Sequence, residues 1–199
     1  MIQRLPLILA SLGAMFLLLL VLVGGAFSPG YSHLSQYISE LGAMGAPYEM
    51  LVRFGGFLPA GAFLALFNIA ATKRLPETKL VTWGQLGLSI FAMGYIVAVI
   101  FPCEPGCPEE SDGVSQSIHN LVGMAGYVVA PVFLTVLGIA ARTWPNRGNL
   151  PIVAFTCAGV ALLGLISLNP ESSYVGLSQR AIEASVWVWA LALGRYVSR

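Results

Sequence analysis

"LPLILASLGAMFLLLLVLVGGAF", residues 5–27, runs its whole length without a charged side chain. Crossing the hydrocarbon core of a bilayer, about 30 Å, takes about 20 apolar residues in a helix. The run is too long for the apolar core of a secretory signal, about 7–15 residues, and reads as a first transmembrane helix. Five more apolar runs follow, near 50–72, 81–101, 118–141, 150–168 and 177–197. In lipid each backbone must satisfy its own hydrogen bonds, and runs of this length do so as helices rather than barrel strands. Composition agrees: 57% of the chain is hydrophobic and 10% charged, against about 25% charged in soluble domains. The expected fold is an all-α integral membrane protein, residues 1–199 forming one six-transmembrane-helix bundle.

The bases orient that bundle. Arg4 precedes the first run; Lys73, Arg74 and Lys79 lie between the second and third; Arg142 and Arg147 lie between the fourth and fifth; Arg195 and Arg199 close the chain. The connections 28–49, 102–117 and 169–177 contain no Lys or Arg. Basic loops stay on the cytoplasmic side, so both termini are expected in the cytoplasm and the three base-free loops outside. A net charge of +1 gives no electrostatic footprint for nucleic acid.

The outward loops are unusually rich in polar groups. "YSHLSQYISELGAMGAPYE", residues 31–49, holds tyrosines, serines, a histidine and two glutamates. In "FPCEPGCPEESDGVSQSIHN", residues 101–120, Cys103 and Cys107 lie four apart in a Pro/Gly-rich turn. An outward thiol pair can oxidise, and a disulfide is favoured over metal ligation because two cysteines alone make a poor zinc site. Glu104, Glu109, Glu110 and Asp112 read as a solvated cap. Cys157 reads as ordinary packing.

Ionisable groups inside spans are costly and mark candidate sites. Here they gather toward the outward end: Glu49 and Arg53, an i,i+4 acid–base pair; His119 and Asn120 opening the fourth run; Gln179, Arg180 and Glu183 in the sixth. Each has a structural reading. Glu49 and Arg53 can form an ion pair, Arg180 can snorkel to headgroups, and His119 can be an interfacial histidine. Glu183 is the hardest to dismiss, because a carboxylate two turns into a span needs a partner. Small residues, Gly55, Gly56 and Gly61, then Gly84, Gly87 and Gly94, then Gly123, Gly126 and Gly138, allow close helix contact, and Pro59 and Pro131 are expected to kink their helices.

Three of these segments resemble a family. "QYISELGAMGAP" resembles the aromatic-Ile-Ser-acid-x-Gly…Pro motif that follows the first helix in six-span autophagy-modulator (DRAM-like) and GPI-lipid-remodelling proteins. "SIHNLVG" and "AIEASVW" match the same pattern, and "FPCEPGCP" resembles the prokaryotic family called domain of unknown function 998. The positions carried over are Tyr37, Ser39, Glu40, Gly42, Pro47, His119, Glu183 and Trp187. Relatives often have Asp where this chain has Glu40, and Tyr48 separates Pro47 from Glu49. The resemblance implies a prokaryotic plasma-membrane protein concerned with lipid remodelling, organisation or signalling.

The functional expectation is therefore a polar pocket at the outer leaflet that binds or modifies a membrane lipid. Glu40, His119 and Glu183 are the candidate catalytic groups, expected to approach one another. Either carboxylate would act as general base with His119 as its partner. Tyr37, Ser39, Asn120, Gln179 and Trp187 are candidate substrate contacts, with Arg53 or Arg180 holding a phosphate. A divalent metal on Glu40, His119 and Glu183 is conceivable, although no HExxH spacing occurs. A non-enzymatic scaffold with a structural polar cluster is the main alternative. Small-solute transport is less favoured, because transporter sites lie near midplane.

Overall fold

Apolar length, proline and glycine decide where the helices fall. The structure, a computed structural model, describes residues 2–199, which include no strand. Among them, six long helices carry the fold: α1 Leu5–Phe27, α2 Glu49–Thr72, α3 Lys79–Ile100, α4 Val114–Ala141, α5 Leu150–Ile166 and α6 Val175–Val197. Four of these, α1 to α4, are long and apolar enough to cross a membrane, while α5 is apolar but shorter. That content marks an integral membrane protein.

The helix α6 is the most polar of the six, yet it is deeply buried. Gln179, Glu183, Ser185, Trp187 and Trp189 are all covered by protein. Its polar side chains face neighbouring helices, which lowers its hydropathy without exposing charge to lipid. Several boundaries shift by one to four residues from the sequence reading. The helix α4 starts at Val114 rather than near 118, because Ser117 returns its hydroxyl to the Gly113 carbonyl at 3.1 Å and closes an extra turn. The helix α6 starts at Val175, where the Ser178 backbone N–H already donates to Tyr174.

Both α1 and α2 contain a widened π turn, at Leu20–Gly24 and Arg53–Phe57. The second leads directly into Pro59, which has no N–H to return to the preceding turn; the wider turn absorbs that loss. Pro131 sits inside α4 without ending it.

Each helix packs on the next, and α6 returns to α1, so the six close into a ring, with α6 also touching α2 and α4 across it. Glycines set how closely the axes approach. A Cβ at Gly87 would lie 2.5 Å from Phe133 Cβ, and one at Gly61 would lie 2.8 Å from Tyr95 Cβ. Lipid offers no hydrophobic drive for association, so such small-residue contacts supply the packing.

The two ends of the ring differ in chemistry. At one end the Leu7 backbone donates to Ser198 Oγ at 3.3 Å, and Arg74 donates to the Val197 carbonyl at 3.1 Å, joining both termini to the α2–α3 connection. Just inside it, Asn68 donates to the Gln85 carbonyl and Ser89 Oγ, while Gln85 donates to Thr72 Oγ1. These amides, which look isolated in sequence, clamp α2 to α3. At the other end the base-free loops meet: Met44 N–H donates to the Cys103 carbonyl at 2.8 Å, and Leu177 N–H to the Leu34 carbonyl at 3.0 Å.

Candidate functional site

Beneath those loops lies a cavity of about 450 Å³ bounded by α2, α3, α4 and α6. His119, Gly123 and Tyr127 fall at i, i+4 and i+8, so one face of α4 presents all three to it. Gln179 and Glu183 do the same from α6, while Phe91, Gly94, Tyr95 and Ala98 come from α3. Tyr37, Ser39, Cys107 and Glu109 roof it from the loops.

The helices α3 and α4 approach closely near Gly126, whose added Cβ would sit 3.7 Å from Phe91 Cα. One turn further toward the loops, a Cβ at Gly94 or Gly123 would meet nothing within 4 Å. Leu121 lines the cavity and is still 71% exposed, and Met124 is exposed beside it. The cavity therefore opens sideways between α3 and α4, toward the surface that faces lipid.

Glu183, 7% exposed, is the centre of the site. Both its oxygens accept from phenols: Tyr95 donates to Oε2, and Tyr127 to Oε1 at 3.1 Å. Each phenol is itself held by a donor. Trp187 Nε1 donates to the Tyr95 hydroxyl at 2.8 Å, and Gln179 Nε2 donates to the Tyr127 hydroxyl at 2.7 Å. Gln179 Oε1 then accepts the Ile38 N–H from the loop between α1 and α2. Because every hydroxyl accepts from behind and donates forward, the chain of bonds is directed at the carboxylate and suits its ionised form. With only 7% of Glu183 exposed, that charge would otherwise be badly solvated.

His119 joins this cavity with one ring nitrogen already engaged, its Nδ1 lying 3.0 Å from the Phe101 carbonyl. A carbonyl accepts only, so Nδ1 carries a proton, and in the neutral ring Nε2 keeps its lone pair. Tyr37 is outside the helices; burial, with the charges of Glu109 and Glu40 adding to it, pushes its phenol up to about 12.

Glu40 is placed otherwise. It does not line the cavity; its Oε1 accepts the Tyr37 N–H at 2.8 Å and its Oε2 accepts Gln36 Nε2 at 2.7 Å, which braces the short helix Ile38–Gly42. Arg53 gives Nε and Nη2 to the Val99 carbonyl at 2.9 and 2.6 Å, and Glu49 accepts the Gly45 N–H, so the expected Glu49–Arg53 pair is replaced by two backbone contacts. Arg180 donates to the Gln36 and Gly176 carbonyls and to the Tyr31 hydroxyl, and lies 3.2 Å from His33 Nδ1. Neither arginine lines the cavity. Asn120 lines it but spends its amide on the Pro108 and Glu109 carbonyls and accepts from Gln116. Trp187 acts on the site only through Tyr95.

Cys103 and Cys107 form a disulfide, their Cα atoms 5.0 Å apart, and Cys107 Sγ sits 3.4 Å from Ser39 Oγ. Cys107 and Gly106 both take positive φ, 47° and 79°, as the tight loop demands. Among the described residues, the donor atoms of Cys103, Cys107 and His119 lie within 4.8 Å of one another, and those of the expected Glu40, His119 and Glu183 do not form such a group. With the sulfurs joined, neither is a thiolate ligand.

Tyr95 and Tyr127 are polar lining residues that sequence reading passed over, and Glu109, expected in a solvated cap, lines the cavity as well. The signal for Tyr127 was present, since it continues the His119–Gly123 face by one turn. A tyrosine in an apolar span ordinarily reads as packing or as an interface anchor, and its partner Glu183 is 56 residues away.

An all-helical membrane protein with a buried carboxylate at one end of its bundle is the class that fold and site define. Residues 11–196 match the family model described as "Protein of unknown function (DUF998)", and the chain belongs to that family. No curated protein matches the chain, and no solved structure does.

Proposed function

We propose that this chain is a six-span membrane protein, with both termini cytoplasmic, whose outward cavity binds the polar part of a membrane lipid. The observation that carries the reading is the sideways opening of the cavity between Gly94 and Gly123, onto a buried carboxylate. A water-soluble ligand has no need of such an entrance, whereas a lipid could enter headgroup-first and leave its acyl chains outside. The segregation of bases supports the orientation, since the loops over the cavity carry none. The low hydropathy of α6 is compatible with a sixth span because its polar residues are turned inward.

If the lipid is modified as well as bound, His119 Nε2 and Glu183 are the groups placed to move a proton, and Glu40 serves to brace the loop. The test is a variant that fills the cavity without disturbing the bundle. Gly123→Leu adds a side chain where nothing lies within 4 Å, and replacing a mid-helix glycine stabilises by about 0.5–1 kcal/mol. The expected result is unchanged or improved thermal stability together with loss of co-purifying lipid, read by lipidomics of purified protein and of the producing membranes. Equal lipid content in both proteins would favour the scaffold reading.

A further inference from the structure

The charges that line the cavity are of one sign. Glu183 and Glu109 are both among its walls, and no lysine or arginine is. Arg53 gives Nε and Nη2 to the Val99 carbonyl, and Arg180 gives Nη1 and Nη2 to backbone carbonyls, Tyr31 and the neighbourhood of His33. Arg180 reaches Glu183 only through space. A carboxylate offers about four acceptor positions, and the two tyrosines occupy one on each oxygen.

Aromatic rings also stand in the wall. The Phe57 and Tyr95 rings lie 6.4 Å apart, Phe91 and Tyr95 6.0 Å, and Phe91 and Tyr127 6.1 Å, centroid to centroid, and all four line the cavity. Ring faces attract cations through their quadrupoles, so an aromatic wall beside a carboxylate is suited to an ammonium group. An anionic phosphate at the same place would face two carboxylates with no cation in the cavity wall, and only the Arg180 charge acting through space to offset them.

We infer that the cavity selects an ammonium-bearing ligand, its positive nitrogen seated between the Glu183 carboxylate and the Tyr95, Tyr127 and Phe91 rings. The inference rests on the lipid-pocket reading and narrows it: the headgroup enters by its amine, and any phosphate stays toward the mouth. It also reverses the sequence expectation that Arg53 or Arg180 grips a phosphate.

The test uses full-length protein in nanodiscs. Retention of phosphatidylethanolamine, phosphatidylglycerol and N-acetylated phosphatidylethanolamine, all with identical acyl chains, is measured for wild type and Gly123→Leu. A parallel arm titrates soluble ethanolamine, which carries the amine without the lipid. The expected result is at least tenfold preference for phosphatidylethanolamine over both other lipids, absent in Gly123→Leu. Glu183→Gln should remove the preference too, and the N-acetylated lipid keeps the test independent of whether that variant folds. Phosphatidylglycerol retained equally well by wild type, and lost in Gly123→Leu, would overturn the ammonium assignment and leave the lipid pocket standing. No lipid difference between wild type and Gly123→Leu would overturn the lipid reading, and with it this inference unless ethanolamine alone binds wild type and not the variant. That last outcome would support the ammonium site with a soluble ligand.

Discussion

Tyr95→Phe removes one oxygen and should be felt at two places. The Tyr95 hydroxyl donates to Glu183 and accepts from Trp187 Nε1, and all three groups are buried. In a soluble protein, losing a bond to a charged group costs about 1.5–3 kcal/mol and orphaning the indole N–H a further 1–3 or so. In membranes the unfolded state finds other partners, and single side-chain hydrogen bonds average about 0.6 kcal/mol with a maximum near 1.7. With two bonds lost, the membrane figure governs and predicts a destabilisation of about 1–3 kcal/mol. The assay is reversible unfolding in mixed micelles titrated with a denaturing detergent, followed by helical circular dichroism. Tyr174→Phe, on an exposed loop tyrosine, is the control and should stay within about 0.5 kcal/mol of wild type. Adding Trp187→Phe to Tyr95→Phe should cost less than Trp187→Phe alone, because the orphaned donor leaves with it. A Tyr95→Phe protein no less stable than the Tyr174→Phe control, or strict additivity with Trp187→Phe, would refute the directed network as a stabilising unit.

Three further outcomes are expected. Without reductant, Cys103 and Cys107 should resist alkylation in membranes while Cys157 alone provides a free thiol. Reduction should lower stability by no more than about 2 kcal/mol, since the closed loop is short. Cysteines introduced one at a time at the exposed positions 76–78 should be labelled only from the cytoplasmic face; outside labelling would reverse the topology. The contact of His33 with Arg180 should weaken on acidification. Burial and then the Arg180 charge lower the His33 pKa from 6.5. The neutral ring is thus favoured in the folded state, and its contribution is complete above 6.5 and lost as pH falls toward the depressed value. Hydrogen exchange in residues 31–36 should accelerate across that window, and His33→Ala should abolish the pH dependence without abolishing folding.

Several features of this protein were settled by local sequence. A helix that crosses a bilayer must be apolar over its own length, so "LPLILASLGAMFLLLLVLVGGAF" declares itself without reference to any partner. The placement of bases is likewise a property of each connection. The connections without bases lie together at one end of the bundle, where Met44 meets Cys103 and Leu177 meets Leu34. His119 and Glu183 stood out because a charge or an imidazole in an apolar stretch is conspicuous wherever it ends up.

Which of the polar groups meet was decided by the tertiary structure. Glu40 and Glu183 are the same residue type, but one sits where a short helix exposes backbone N–H groups and the other where two phenols arrive from α3 and α4. Arg53 lies one turn from Glu49 on the same helix, and still the carbonyl of Val99, 46 residues on, captures it. Hydrogen-bonding side chains in a bundle take whichever buried partner the packing presents, and that partner is set by helix rotation and glycine contacts. Neither can be read along one chain. For the same reason α6 reads in composition as the poorest membrane segment, yet in three dimensions it is the helix on which the site is built.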